Sequence, residues 1–294
     1  MTPETRLKQI QHFIGRMPSL STTVAKVLQI CNNPSASAND LNRVISYDPV
    51  LTGQILKLIN SAYYGLSNHI TSLTRAIIML GINTVKNLVL ATSVLAGFKG
   101  LSKTRQTVIN DFWAHCLCVG VLSKLIARTG QIPATDQEEY FVAGLLHDLG
   151  KIPLMTCFTE LYAKIVQVSK DQNIPLFQSE TIHIGFNHCQ VGALIAAKWK
   201  LGRVMQDAIE KHHSHEGLAD LGFLVSNIAA ANYLANQFGV GTAGDQYVNP
   251  LSLRTHADSI GLDLDALTNL RVRMENEIEK ARVFLQVADK GSIS

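Results

Sequence analysis

The chain has 294 residues, 47% of them hydrophobic, and a formal net charge of +3, so it can bury the core of one large or two modest domains. Its weak charge of mixed sign argues against a nucleic-acid partner. No run approaches about 18 uninterrupted apolar residues, and the first residues lack a signal peptide's apolar stretch, so we expect a cytoplasmic protein without a membrane span.

Helical periodicity is the main pattern in the first hundred residues. In the segment 19–31, apolar residues recur at the i, i+3, i+4, i+7 spacing of one helix face. Pro49 ends one helix and begins the next, because a residue before proline avoids the helical region and proline is tolerated in a first turn. Gly81 closes a further helix, and another helix follows it.

The second half of the chain is also predicted to be helical. Its helices are expected near residues 107–129, 136–149, 158–172, 188–199, 203–213 and 221–239. The tail 263–289 carries an apolar stripe that could bind a partner or a second copy, or could fold back on the core. Since no segment alternates as a strand would, the fold class is all-α. We divide the chain into an N-terminal helical subdomain (1–106), a helical core (107–238) and a C-terminal helical extension (239–294).

The five cysteines indicate neither a zinc knuckle nor a disulfide framework. Their number is odd, and no two of them form a Cys-x-x-Cys pair. We interpret them as buried reduced thiols. They are Cys31, Cys116, Cys118, Cys157 and Cys189.

The stretch FVAGLLHDLGKIPLM, at 141–155, raises the main functional question. At the last turn of a helix that ends on Gly150, His147 and Asp148 can both reach a cation beyond the helix end, where the dipole favours positive charge. An imidazole and a carboxylate suit a divalent ion. The alternative is a helix C-cap in which Asp148 pairs with Lys151.

The other histidines differ in their surroundings. His115 lies in an apolar helix, where a hydrogen-bonded core residue and a metal ligand both remain open. His188 opens a predicted helix. His212 and His213 close another predicted helix. Two adjacent imidazoles would be costly if both were charged and buried, so either both ligate metal or one of them lies in water. The remaining histidines are expected at the surface: His12, His69, His183, His215 and His256.

Three N-terminal motifs carry a family resemblance. They are an Asp-Pro turn at 48–49, the stretch NSAYYGL at 60–66 and the helix AIIMLG at 76–81. With the order of the histidines, they closely resemble the HDOD family from about residue 17 to 238. That family is similar in fold to the HD superfamily of metal-dependent phosphohydrolases, and its members are mostly bacterial signalling and regulatory modules. The resemblance implies an HD-like helical core behind an N-terminal helical subdomain.

The resemblance also implies a metal site in the core. The superfamily pattern has three ligands that match here, and the HD-GYP branch, which binds two or three metals, adds histidines that also match. The matching positions are, in chain order, His115, His147, Asp148, His188, His212 and His213.

The pattern departs at its last ligand, an aspartate that is replaced here by Asn232 or, in an alternative alignment, by Asn227. An amide oxygen can ligate a metal but brings no charge, so only Asp148 offers a formal anion. The histidine-rich site suits one or two ions of Fe, Zn, Mn or Ni better than Mg²⁺. The Gly-Tyr-Pro motif is also absent from the sequence, so we do not expect cyclic di-GMP hydrolysis.

Two functions remain open. The first, which we favour, is a signalling module that binds a protein partner and whose metal site has weak or no hydrolase activity. The second is a metal-dependent phosphohydrolase acting on a nucleotide or other phosphate ester, with Lys151 either contacting the phosphate or lying at the surface. A small phosphorylated ligand is compatible with either function, and the oligomeric state is left open. Tyr63 and Tyr64 are expected to pack beneath a loop.

Overall fold

The computed structural model describes residues 1–33, 35–98, 106–214, 222–247 and 250–290. Within these ranges the chain forms helices and their connections without a strand, so the predicted all-α class is confirmed. The helices are α1 (Pro3–Arg16), α2 (Thr22–Cys31), α3 (Ala38–Ile45), α4 (Pro49–Ile59), α5 (Leu73–Leu80), α6 (Ile82–Gly97), α7 (Gln106–Thr129), α8 (Gln137–Leu146), α9 (Lys151–Cys157), α10 (Thr159–Gln172), α11 (Leu176–Ile184), α12 (His188–Lys198), α13 (Arg203–Lys211), α14 (Gly222–Phe238), α15 (Pro250–Ser259), α16 (Leu264–Thr268), α17 (Arg271–Ala281) and α18 (Val283–Lys290).

Short helices of the N-terminal part begin at serine caps. The hydroxyls of Ser21, Ser37 and Ser72 accept a backbone N–H in the first turn of α2, α3 and α5. At α3 the carboxylate of Asp40 completes a capping box. These helices pack directly or through one another on α6, most of whose residues are buried. The caps satisfy exposed backbone donors, and the apolar faces supply the core.

Helices α7 and α8 pack along each other through two glycines. A Cβ atom on Gly144 would lie 2.8 Å from both the Cα and the nitrogen of Gly120. Real Cβ atoms do not approach backbone this closely, so the two helix backbones touch only because neither residue has a side chain. The close approach places His115 of α7 beside the end of α8.

Helix α1 is fixed to the core by side chains that bind main-chain carbonyls. Arg6 donates to the carbonyl of His183 at 2.6 Å. Lys198 of α12 donates to three carbonyls at and just after the end of α1, at 2.6–2.9 Å. His183 is half-buried in α11, and its Nδ1 lies 2.8 Å from the carbonyl of Ser179. The expectation that His183 lies at the surface is therefore only partly met.

The C-terminal helices fold back on the rest of the chain. Helix α17 packs on α7, and α18 packs on α4 and α6. The ring of Phe284 is fully buried, with its centroid 4.7 Å from that of Phe141 and 5.1 Å from that of Tyr63. The apolar stripe of the tail is thus covered by the chain's own core. The division at 106 and 238 stays a prediction.

One described helix, Val108–Thr129, is long and apolar enough to cross a membrane, and 67% of its apolar window is buried in the structure. The helices α5 and α6 pass the same test only together, across a bend of 115°. Buried core helices meet the same criteria of length and apolar composition, so these segments are only weak evidence for a membrane-spanning helix.

Candidate metal centre

Polar side chains from several helices meet at one buried point. They come from α7, the turn between α8 and α9, the starts of α9 and α12, the end of α13 and the middle of α14. Each of the following side chains is at most 4% exposed: His115, His147, Asp148, Lys151, His188, His212 and Asn232. Burial of so many polar groups is costly unless they have partners, which makes this cluster the main candidate site.

The turn between α8 and α9 is pressed against α12 because it contains Gly150. A Cβ atom at this position would overlap the carbonyl oxygen of His188 and lie 2.5 Å from the nitrogen of Gly192. Only glycine therefore allows the approach. The Asp-Leu-Gly sequence after His147 therefore brings the end of α8 into contact with the start of α12.

His188 is the first residue of α12 and is held from two sides. Asn187 caps the helix, and the side-chain oxygen of Gln190 accepts a hydrogen bond from the backbone N–H of Asn187, which completes a capping box. The carboxylate of Glu180 accepts from the backbone nitrogen of His188 at 2.8 Å and lies 2.7 Å from its Nδ1. The hydroxyl of Tyr162 donates to the other Glu180 oxygen at 2.6 Å. Sequence reasoning missed Glu180, which no motif marks.

Asp148 lies at the centre of the cluster, and its two oxygens face different histidines. Oδ2 is 3.7 Å from Nε2 of His115 and 3.3 Å from Nε2 of His147. Oδ1 is 3.3 Å from Nε2 of His188 and 3.7 Å from Nε2 of His212. The carboxylate therefore connects two sets of imidazoles, one on each oxygen.

The outer ring nitrogens fix how three of the histidines point. Nδ1 of His147 lies 2.6 Å from the carbonyl of Gly144, and Nδ1 of His212 lies 2.9 Å from the carbonyl of Ile209. Carbonyls and carboxylates can only accept, so these Nδ1 atoms carry protons, as does Nδ1 of His188 beside Glu180. Burial lowers the pKa of His147, so its ring is neutral and its Nε2 lone pair faces the carboxylate of Asp148 at 3.3 Å. Burial also acts to lower the pKa values of His188 and His212, but the charge of Cys189 outweighs it and raises both, that of His212 to about 9. Each Nε2 at 3.3–3.7 Å from the carboxylate therefore needs a proton or a cation between the two atoms.

Several buried atoms of these side chains have no hydrogen-bond partner among the described residues. They are His115 Nδ1 and Nε2, His147 Nε2, Asp148 Oδ1, His213 Nε2 and Asn232 Oδ1. Buried polar atoms are normally paired, and unpaired ones call for an ion or water as partner. Oriented Nε2 atoms with occupied Nδ1 atoms are also the usual form of histidine metal ligands. The residues therefore fit a divalent metal ion.

The charges around Asp148 shift the pKa values of the first set. Burial alone would raise the pKa of Asp148, but the neighbouring His147 and Lys151 outweigh burial and hold that pKa well below its usual range. Burial lowers the pKa of His115 to about 3, against the attraction of Asp148. Asp148 is thus ionised and His115 neutral, which are the states that ligate metal.

Cys189 lies beside the second set of imidazoles, and sequence reasoning missed this thiol. Its Sγ lies 4.0 Å from Nε2 of His212. Burial would raise the pKa of the thiol, but His188 and His212 outweigh it and lower that pKa to about 6. Cys189 and three histidines offer ligand atoms within 4.8 Å of one another, and so do His115, His147 and Asp148. The adjacent His-Cys pair at 188–189 was the only sequence signal for this thiol.

Lys151 is buried in the cluster rather than exposed. Its side chain is 1% exposed, and Nζ donates to Asp148 Oδ2 at 2.8 Å. The alternative of a surface lysine is therefore wrong. The pairing of Lys151 with Asp148, which was the alternative to a metal site, is present. A phosphate contact by Lys151 stays a prediction.

Asn232 faces the site, and Asn227 does not take its place. Asn232 lines a small cavity together with His212 and His213, and its amide acts on the pKa of His115. Asn227 donates to the carbonyl of Ser123 at 3.1 Å. The structure thus favours Asn232 as the position that matches the missing aspartate.

The loop after α14 adds a carboxylate that sequence reasoning missed. Asp245 is 6% exposed and lines the same cavity as Asn232. Burial raises its pKa, and the charge of Lys151 opposes that rise. His256 lines this cavity as well and is 2% exposed, so its predicted surface position is wrong. His215 lies outside the described residues, whereas His12 and His69 are exposed as expected.

Two curated bacterial proteins are similar to this chain. An uncharacterised protein of Treponema pallidum is 24% identical over 220 residues, which cover 74% of this chain and 42% of the relative. The uncharacterised protein YuxH of Bacillus subtilis is 32% identical over 117 residues, which cover 39% of this chain and 28% of the relative. The chain therefore spans less than half the length of these relatives.

Solved structures with low sequence identity share the fold. An HDOD domain protein of unknown function from Geobacter sulfurreducens has a TM-score of 0.73 at 24% identity, with 100% of both chains covered. A proposed phosphohydrolase from Shewanella amazonensis has a TM-score of 0.71 at 21% identity, covering 94% of this chain and 98% of that one. A proposed signal transduction protein from Marinobacter aquaeolei has a TM-score of 0.70 at 19% identity, covering 99% and 66%.

The family itself is shown by sequence. A sequence model of the HDOD domain matches residues 17–215, which is more than half of the chain. The match starts where the predicted resemblance starts and includes all the histidines of the cluster. The chain therefore belongs to the HDOD family.

Proposed function

We propose that this chain is a bacterial HDOD-type regulatory module whose HD-like site holds one or two divalent transition-metal ions and has weak or no hydrolase activity. The observation that carries the proposal is Asp148, whose two oxygens face histidine Nε2 atoms at 3.3–3.7 Å on both sides. This arrangement supports a carboxylate shared between two metal positions. Imidazoles with one carboxylate suit Fe, Zn, Mn or Ni. In this role the module acts through a protein partner, a small phosphorylated ligand, or both.

The ligands form two sets around the shared carboxylate. His115, His147 and Asp148 would hold the first ion, and Asp148 with His188, His212 and His213 would hold a second. A metal in such a site supplies Lewis acidity and lowers the pKa of a bound water. The Glu180 carboxylate keeps a proton of His188 on Nδ1, so that Nε2 faces Asp148 and would be free to hold the ion.

Two features support weak activity. Asn232 leaves the site one anion short of the superfamily pattern. The cavity that the described residues form beside Asn232 also has a volume of only about 60 Å³. Small-molecule sites measure about 300–1,000 Å³, whereas this volume has room for a few waters. In this conformation that cavity is too small to hold a phosphate ester.

A phosphohydrolase is the second candidate, and two observations favour it. Lys151 places a buried ammonium 2.8 Å from the Asp148 carboxylate, where it could neutralise a phosphate. An open depression of about 290 Å³ also reaches Cys189 and His213 from outside. A substrate that entered there would meet the second set of ligands first.

A hydrolysis assay separates the two functions. Purified protein loaded in turn with Mn²⁺, Fe²⁺, Ni²⁺ or Zn²⁺ is assayed against a panel of nucleotides, phosphomonoesters and phosphodiesters. We expect turnover near background for each metal. Rapid turnover that disappears in Asp148→Ala, but persists in the exposed control variant His69→Ala, would favour the enzyme and contradict the module.

A further inference from the structure

The loop that follows α14 is built to approach the cluster. Gly241 has a φ of +64°, and a Cβ atom on it would lie 2.5 Å from the backbone nitrogen of His115. The backbone N–H of Thr242 donates to the carbonyl of Asp111 at 3.1 Å. Glycine is therefore required at 241, both by the left-handed backbone and by the contact with α7. The loop is anchored beside His115, three residues before Asp245.

Asp245 is the acidic residue of the cavity next to the histidines. The described residues that line this cavity include His212, His213 and Asn232 but no other carboxylate. The charges of Lys151 and His188 act on the Asp245 carboxyl group. Asp245 therefore shares a cavity with the residue that stands in place of the missing aspartate.

The charge balance of the site shows why a second anion is needed. Lys151 and Asp148 form a pair at 2.8 Å, so their charges already cancel. Glu180 is occupied, because its oxygens accept from Tyr162 and from both the backbone and Nδ1 of His188. The Cys189 thiol faces the second set, with Sγ 4.0 Å from Nε2 of His212. A divalent ion at the first set would then add two positive charges to a buried region, which is costly without a further carboxylate.

We propose that Asp245 supplies the carboxylate that Asn232 lacks and serves as an anionic ligand or direct charge partner of the metal ion. The inference rests on the proposed metal site. It explains how a chain with Asn232 retains the histidine cluster: the anion comes from the loop after α14 instead of from α14 itself. Positions 245 and 232 are then two alternative places from which the site can receive its second carboxylate.

A structural role for Asp245 is the alternative. Its Oδ1 accepts from the backbone N–H of Tyr247 at 3.1 Å, which forms an Asx turn. Asparagine makes the same turn with its amide oxygen. Asp245→Asn therefore removes the charge and keeps the turn, so it distinguishes a role in metal binding from a role in the loop.

The test compares Mn²⁺ affinity in four proteins: wild type, Asp245→Asn, Asn232→Asp and the double variant. Each is stripped with a chelator and titrated with Mn²⁺ alone, and free Mn²⁺ is measured by electron paramagnetic resonance. We expect Asp245→Asn to weaken Mn²⁺ binding by at least about tenfold, as losses in a metal site typically do. Adding Asn232→Asp to that variant should restore most of the affinity.

Each result is assigned to one claim. Equal affinity of wild type and Asp245→Asn would overturn the role of Asp245 while leaving the metal site intact. If Asp245→Asn loses affinity and the double variant does not recover it, the claim that a carboxylate at position 232 can replace the one at position 245 would be overturned. Failure of wild type to bind Mn²⁺ or any of the other three metals would overturn the proposed function itself. Thermal midpoints of the stripped proteins show that Asp245→Asn folds, and we expect its midpoint to match that of wild type.

Discussion

Glu180 Oε2 lies 2.7 Å from His188 Nδ1 and 2.8 Å from the backbone nitrogen of the same residue. The carboxylate can only accept, so His188 donates from both atoms, and its Nε2 is left 3.3 Å from Asp148 Oδ1. Glu180 thus orients a candidate ligand while belonging to neither set of ligands.

Glu180→Gln is expected to weaken metal binding by about 10–100-fold, because the amide no longer fixes the proton of His188 on Nδ1. The measurement is metal affinity of the stripped protein, with the exposed Glu160→Gln on α10 as matched control. Affinity that is the same in both variants would show that the Glu180–His188 contact does not orient a ligand.

Gly150→Ala is expected to lower the free energy of unfolding by about 1–3 kcal/mol or more, since its Cβ would overlap the backbone of His188. Gly53→Ala is the control, because Gly53 is exposed in α4 and its Cβ would meet nothing within 4 Å. That control should gain about 0.5–1 kcal/mol. Urea unfolding measures both changes, and two equal effects would contradict the close contact of the α8–α9 turn with α12.

Lys151→Met is expected to destabilise the chelator-treated protein by about 3–5 kcal/mol, because Asp148 would stay buried without its ammonium partner. Added metal should recover part of this loss, since the ion replaces the lost positive charge. The measurement is urea unfolding with and without metal, and Lys164→Met, on the exposed face of α10, is the control. A loss that metal does not reduce would place the ion away from Asp148.

The histidine cluster could be predicted because most of its members stand at helix ends and all of them follow a known order, although His115 lies inside α7. His147 and Asp148 end an apolar run, and His188 follows a capping asparagine, so their side chains point beyond helix termini. The distances between these side chains depend on Gly150 and on contacts between helices that are far apart in the sequence. The motif order predicted which residues meet, and the structure adds their distances.

Other parts of the site carry no sequence signal. Glu180 lies in the middle of α11, and Asp245 lies in a loop between two glycines and a tyrosine, so neither stands in a recognisable pattern. His256 has polar neighbours in sequence, yet the fold turns it inward. Burial of an isolated polar residue depends on which loop covers it, and a local pattern does not contain that information.

Elemental analysis of the purified protein tests the central claim, that the buried cluster holds a divalent metal. We expect at least one ion of Fe, Zn, Mn or Ni per chain, most of it lost in His147→Ala and all of it retained in the exposed control His69→Ala. Protein without bound metal, even after incubation with each ion, would contradict the account. So would metal that His147→Ala retains in full.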